Sequence, residues 1–198
     1  MVAPSGENNS AAAASKTVPQ NLTARFASEL EALGGTITLC TSQDLTSRLL
    51  SLLQDRQIRR IQSWEAGFLP AGLLDEIRLA GIEVSHQPEP DAQAGLTGAL
   101  AGIAETGTLV LTGGAGKPMT ASLLAPLHIA ILQASEIYEN LPQAFRLQEV
   151  QRASAAVLVS GPSRTADIEM TLTIGVHGPG ELHVMCITMP DRKMAKHN

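Results

Sequence analysis

Two stretches of this chain combine residue types that can hold and polarise a small anion. Gly161-Pro162-Ser163-Arg164-Thr165-Ala166-Asp167-Ile168-Glu169 places hydroxyls, a guanidinium and two carboxylates directly behind an apolar run, Ala155-Ala156-Val157-Leu158-Val159-Ser160. A glycine turn at Gly161 lets backbone N–H groups approach a ligand, Ser163 and Thr165 add hydroxyls, and Arg164 offers a planar fork matched to carboxylate or phosphate. The apolar run reads as a buried strand, so these groups would project from a strand's C-terminal end, where open α/β sheets bind ligands. The same residues also suit a structural loop in which Ser163 or Thr165 caps the next element and Arg164 pairs with Asp167 or Glu169.

The second stretch is Ile103-Ala104-Glu105-Thr106-Gly107-Thr108, just ahead of a strand-like run. A partly desolvated Glu105 there can act as nucleophile or base, with Thr106, Gly107 and Thr108 around a ligand. Alternatively, Glu105 and Thr106 satisfy turn amides. Asp167 and Glu169, two apart, share a face only on a strand, so acid–base work and the orienting of Arg164 both fit them. His177 and His183 flank Gly178-Pro179-Gly180, but six residues across a corner is no established ligand spacing, and no metal site is expected; His177 reads as a pocket residue. His128, inside an apolar run, reads as a hydrogen-bonded core histidine. Gly113-Gly114-Ala115-Gly116-Lys117-Pro118 lacks the spacing of a phosphate loop, although Lys117 can close over an anion.

The elements that position these groups alternate. Leu22, Phe26, Leu30 and Leu33 form a helical stripe ended by Gly34-Gly35, and Thr36 to Cys40 follows as a strand. Asp44 reads as the N-cap of a helix burying Leu45, Leu49 and Leu52, ahead of a strand over Ile58 to Trp64. Pro70 opens a helix with Leu73, Leu74 and Ile77 inward, Gly81 closes it, and Ile82 to Ser85 is a short strand. The small residues from Ala92 to Ala104 suggest a tightly packed helix or turn. Thr108 to Thr112 and Leu127 to Leu132 read as central strands, and Asn140 caps a helix running through Phe145 toward Val150. Met170 to Ile174 and Leu182 to Thr188 form a last pair of strands around a hairpin-like or sharp corner. Such alternation implies parallel strands covered by helices.

Composition bounds the rest. The chain has 198 residues, 44% hydrophobic, a formal charge of −5 and 3% aromatics. That size suits one domain, here residues 21–190, between a disordered N-terminal tail (1–20) and a C-terminal tail (191–198). Without clustered Lys/Arg or stacking aromatics, nucleic acid is not an expected partner. Cys40 and Cys186 read as buried thiols, too few for a disulfide framework or an iron–sulfur cluster, and no cofactor is expected. No apolar run spans a membrane and no leader pattern is visible, so a cytoplasmic location is expected.

Ile103 to Leu111, Leu124-Ala125-Pro126-Leu127-His128-Ile129, the Gly161–Glu169 run and Gly175-Val176-His177-Gly178-Pro179 together resemble the LUD domain of lactate utilization proteins. The likeness is strongest to the lactate utilization protein C (LutC/YkgG) family and covers about residues 30–188. It implies a three-layer α/β/α fold of the NagB/RpiA/CoA-transferase kind with a mostly parallel sheet. It also implies a non-redox part in oxidising L-lactate to pyruvate, beside partner proteins that carry iron–sulfur clusters. The expected ligand is a small anion, a hydroxy- or keto-acid, lined by Glu105, Thr106, Ser163, Arg164, Thr165, Asp167 and His177. The competing expectation from the wider fold is a free-standing acyl-CoA or folate-type transferase or ligase, or a sugar-phosphate isomerase, with Glu105 as nucleophile or base.

Overall fold

Residues 20–166, 172–174 and 178–189 are described by the structure, a computed structural model. The expected tails therefore lie outside the described residues, apart from Gln20, which opens the first helix. The apolar stripe forms α1 (Gln20–Ala32), with Phe26 and Leu30 fully buried, and Gly34 turns the chain at φ 87° into β1 (Thr36–Cys40). In α2 (Leu45–Asp55) the buried residues are Leu45, Leu49 and Leu53. Leu52, expected inward, is only half-buried, because the fourth position of each turn rather than the third meets the sheet. Asp44 stands at the N-cap without a side-chain cap bond; its Oδ2 instead accepts from the Thr41 hydroxyl at 2.8 Å.

The next elements are β2 (Arg60–Ser63), α3 (Leu73–Leu79) and β3 (Glu83–Ser85). The run of small residues expected to be a helix or turn is two strands, β4 (Ala94–Gly98) and β5 (Ala101–Ile103). Smallness there serves packing across a sheet. A Cβ on Gly95 would fall 1.5 Å from the carbonyl oxygen of Ala121, so only glycine admits the short 3-10 turn at Met119–Ser122 that lies on β4. Then follow β6 (Thr108–Gly113), β7 (Leu127–Gln133) and β8 (Ile137–Tyr138). Asn140 does cap a helix, its side chain accepting from Gln143 N–H, but α4 (Leu141–Ala144) stops at Phe145. Leu147 is extended, so the segment toward Val150 is a separate helix, α5 (Gln148–Arg152).

The last elements are β9 (Ala155–Val159), β10 (Arg164–Ala166), β11 (Leu172–Ile174) and β12 (Glu181–Ile187). Six strands in the order β1-β12-β7-β4-β2-β3 make a sheet in which every pairing is parallel. The alternating residues of these strands feed two cores. Leu49, Leu53, Leu73 and Ile77 of α2 and α3 pack with Ile61, Leu96, Ile129 and Met185 on one face. On the other, Phe26 and Leu30 of α1 join Leu109, Leu111, Leu132 and Val184, so α1 and a second sheet form the opposite layer. The α/β class with a mostly parallel sheet between covering layers is thus observed, and the second sheet, β8-β5-β6-β9, is an addition to it.

Two expectations change with that sheet. The run ending at Ser160 is not a buried strand of the parallel sheet: β9 pairs antiparallel to β6 at the second sheet's edge, with Ala155, Ala156 and Leu158 exposed. An apolar run cannot by itself distinguish a central from an edge position. The last two strands do not form a hairpin either. β11 pairs with β10, while β12 enters the parallel sheet between β1 and β7, so Gly178-Pro179-Gly180 leads from one sheet to another.

Candidate functional site

The turn between β5 and β6 and the end of β9 meet through hydroxyl groups. Thr106 Oγ1 lies 2.8 Å from Thr108 Oγ1, which lies 2.7 Å from Ser160 Oγ, giving a three-membered chain. From the other side, Ser163 N–H donates to Pro179 O at 2.8 Å. Gly178 sits so close that a Cβ there would be 2.9 Å from Ser163 Cβ. Residues 105–108, 160–165 and 178–180 therefore form one loop cluster. Thr165 contributes a backbone pairing with Thr173. Asp167, Glu169 and His177 lie outside the described residues.

Several members of this cluster hold α1 in place. Gly107, at φ 60°, would put a Cβ 2.2 Å from Leu30 N, and Gly161, at φ 92°, would put one 3.0 Å from Leu33 O. Arg164 Nη2 donates to Leu33 O at 2.6 Å, satisfying a carbonyl just past the end of α1 and setting a positive charge at the negative end of the helix dipole. One guanidinium N–H is thereby engaged, and the exposed group retains further donors. Glu105 is exposed; its N–H donates to Glu139 O at 3.0 Å, so backbone of the segment after β8, and not the glutamate side chain, satisfies the turn.

The histidines divide. His128 is fully buried with Nε2 2.9 Å from Thr97 Oγ1, a hydrogen-bonded core histidine as expected, and burial pushes it down to about 4. His183 places Nδ1 2.8 Å from Thr36 Oγ1 and Nε2 2.9 Å from Thr38 Oγ1. Because Thr36 also donates to Leu182 O, it accepts from Nδ1–H, which leaves Nε2 as acceptor from Thr38. Burial and then Arg56 hold His183 below the usual imidazole range. His183 lines an open depression of about 350 Å³ with Thr38, Ser47, Arg48, Ser51, Leu52 and Asp55, on the face of α2 and away from the loop cluster. Among the described residues no three His, Cys, Asp or Glu side chains are grouped to hold a metal. Cys40 and Cys186 are free and buried, and burial pushes the Cys186 thiol up to about 12.

Sequence reasoning missed a polar row inside the fold. Gln62, Gly95 and His128 are register partners across β2, β4 and β7, and Gln62 Nε2 donates to Thr120 Oγ1 at 2.5 Å. Three buried polar atoms there and beside it, Gln62 Oε1, Trp64 Nε1 and His128 Nδ1, have no partner among the described residues. The available signal was slight, because Gln62 stands between Ile61 and Ser63 in a strand that is mostly polar in sequence, and Thr97 among small residues reads equally as a turn-proximal surface position.

A family model for the LUD domain matches residues 23–187. The chain belongs to the LUD domain family. Lactate utilization protein C of Halalkalibacterium halodurans is 33% identical over 157 residues, 72% of the LUD chain and 67% of that protein. Its counterpart in a Geobacillus species is 37% identical over 103 residues, 49% of the LUD chain and 43% of that protein. The uncharacterized protein NMB1437 of Neisseria meningitidis is 42% identical over 101 residues, 50% and 43% respectively. The matched part of the chain thus spans between 43% and 67% of the length of these relatives. In fold it is similar to a DUF162 family protein from Deinococcus radiodurans, with a TM-score of 0.65 at 21% identity over 85% of this chain and 97% of that one. No helix among the described residues is long and apolar enough to cross a membrane.

Proposed function

We propose that this LUD chain is a non-redox component of L-lactate utilization, holding a small carboxylate and working beside iron–sulfur proteins that carry the electrons. The observation that carries the binding part is the loop cluster. Thr106, Thr108 and Ser160 present linked hydroxyls, and Arg164 in the same cluster keeps donors beyond its bond to Leu33 O, a set of groups that suits an anion. Asp167, Glu169 and His177 complete the site in this reading. The names of the relatives support the pathway. Glu105 is exposed to water, whereas the free-standing transferase or isomerase would call for a partly desolvated glutamate, so the loop cluster is read as a binding site.

Deleting the gene in its host tests the pathway. Growth on L-lactate as sole carbon source should fail and return with the wild-type gene; normal growth in a strain without a second LUD gene refutes it. Affinity capture of the tagged chain from lactate-grown cells should bring down iron–sulfur proteins, read by their absorbance and iron content. A thermal-shift series with L-lactate, pyruvate, CoA esters and sugar phosphates checks the ligand, because 100 times the dissociation constant stabilises by about 2.7 kcal/mol. Shifts with CoA esters or sugar phosphates alone would move the assignment to the transferase or isomerase class.

A further inference from the structure

The parallel sheet ends differently on its two sides. At one edge β3 is three residues long and carries Glu83, whose carboxylate accepts from Arg60 of β2 at 2.7 Å, so a short, charged strand closes that side. At the other edge β1 is five residues, Thr36-Ile37-Thr38-Leu39-Cys40, without charge or proline, and β12 is its one partner among the described strands. Cys40 O accepts from Thr188 N–H, so the backbone of Thr36, Thr38 and Cys40 faces β12, and that of Ile37 and Leu39 faces outward. The Leu39 side chain is 50% exposed. An uncharged edge of this length is a template for another strand.

The charges beside this edge say which strand it fits. The open depression that His183 lines has Arg48, Ser51 and Asp55 of α2 on one side and Thr38 of β1 beneath. Arg48 and Asp55 are exposed, and neither joins an ion pair among the described residues. Seven residues of helix set them about 10 Å apart, with Ser51 between them. α2 runs antiparallel to β1, because its C-terminal Arg56 pairs with Glu181 at the start of β12, which is parallel to β1. A twofold axis between Thr38 and its copy therefore does two things at once. It pairs β1 antiparallel with itself, and it sets α2 antiparallel to its copy, so that Arg48 of each faces Asp55 of the other. With the two helices parallel, like charges would meet instead. α2 packs over β12, one strand in from the edge. Three strand spacings then separate the two helix axes, roughly 14 Å, which leaves about 10 Å between facing Cα positions, an interval that an arginine and an aspartate together span.

We propose that two copies of this chain associate at the β1 edge, through an antiparallel β1–β1 pairing about a twofold axis at Thr38 that joins the two parallel sheets and sets Arg48 of each α2 against Asp55 of the other. The outward backbone of Ile37 and Leu39 supplies the hydrogen bonds between the copies. On the face away from α2, Leu39 is covered by Ile37 of the second copy, its opposite number in this register. The ion pairs are exposed at the rim, so they fix direction and register more than they add affinity.

Sedimentation of the full chain over a concentration series should show a monomer–dimer equilibrium that ends at the dimer. Arg48→Asp and Asp55→Arg each bring like charges together twice across the axis, and each should weaken the dimer by about tenfold or more. Combining them restores opposite charges in the reverse order and should return the dissociation constant to within a few-fold of wild type, the signature of a direct pairing. Both positions are exposed, and an unchanged far-ultraviolet circular dichroism spectrum checks that each variant folds. Thr38→Cys provides an arm independent of the charges. On the axis its two copies would stand about 4.5 Å apart at Cα, within disulfide reach, while Cys40 and Cys186 are buried. Mild oxidation should therefore give a covalent dimer on a non-reducing gel. A chain that stays monomeric, a dimer indifferent to either charge reversal, or a double variant no tighter than the single ones overturns the proposal. So does a dimer in which Thr38→Cys fails to cross-link, as association through the other apolar edge strand, β9, would give.

Discussion

Replacing Gly107 by alanine tests whether the Thr106-Gly107-Thr108 turn is shaped by α1. Two costs combine at this residue. At φ 60° a Cβ meets the following carbonyl oxygen, a left-handed penalty of about 1–2 kcal/mol for residues other than glycine. The new methyl would also stand 2.2 Å from Leu30 N and 2.6 Å from the Glu29 carbonyl carbon, both backbone atoms that no rotamer change can move. Forcing the helix away is overpacking, about 1–3 kcal/mol. The sum is roughly 2–5 kcal/mol. Gly72→Ala provides the matched control, with a similar φ of 77° and nothing within 4 Å of the added Cβ, so only the left-handed penalty applies. Urea unfolding followed by Trp64 emission, at unchanged slope, reports both. Gly107→Ala should lose more than Gly72→Ala by about 1–3 kcal/mol, or some 2–12 °C in thermal midpoint for a domain of this size. Equal losses would show that α1 yields freely and that the turn owes its glycine to something else.

Arg164→Ala should lower stability by about 1 kcal/mol, because an exposed charge-assisted bond to Leu33 O is screened by water, and Arg164→Lys should recover part of it in a thermal melt. Gly95→Ala should cost more than about 3 kcal/mol, since its Cβ would coincide with the Ala121 carbonyl; amide hydrogen exchange should show residues 119–122 opening. His128 binds its proton with a pKa near 6.5 when unfolded but about 4 when folded, so between those values the unfolded state holds more protons and stability falls on acidification. That contribution is fully present above pH 6.5 and should decline by about 2 kcal/mol from pH 8 to pH 5. Urea midpoints across that range should show the slope in wild type and a shallower one in His128→Leu.

Much of the sheet was legible because its signals are local. The stripe in α1, the strand at Thr36–Cys40 and the glycine stops after Leu33 and Ala80 follow from periodicity and from residues that adopt positive φ. What was not legible depends on what lies above or beside an element. Ala92 to Ala104 reads as a packed turn until the Ala121 carbonyl is known to rest on Gly95. Ala155 to Val159 has the composition of a central strand and lies at an edge. At the loop cluster, residue types marked two polar segments, whereas the engagement of Arg164 with Leu33 joins positions 131 apart and has no sequence signature.

The position of β12 has a consequence for how the chain is made. β1 is an edge strand whose one partner is β12, and Thr36 faces His183 across that pairing. On the ribosome, β1 leaves the exit tunnel long before its partner exists. At about 5–20 residues per second, the 146 residues separating Thr36 from Leu182 take on the order of ten seconds to synthesise. Once made, β7 too lacks its neighbour on the β1 side until β12 follows. Both strands present unpaired backbone to whatever is nearby, and nascent chains are most exposed to mispairing at such edges. β12 therefore acts as a keystone, joining β1 to the rest of the sheet only after the whole stretch between them has been made.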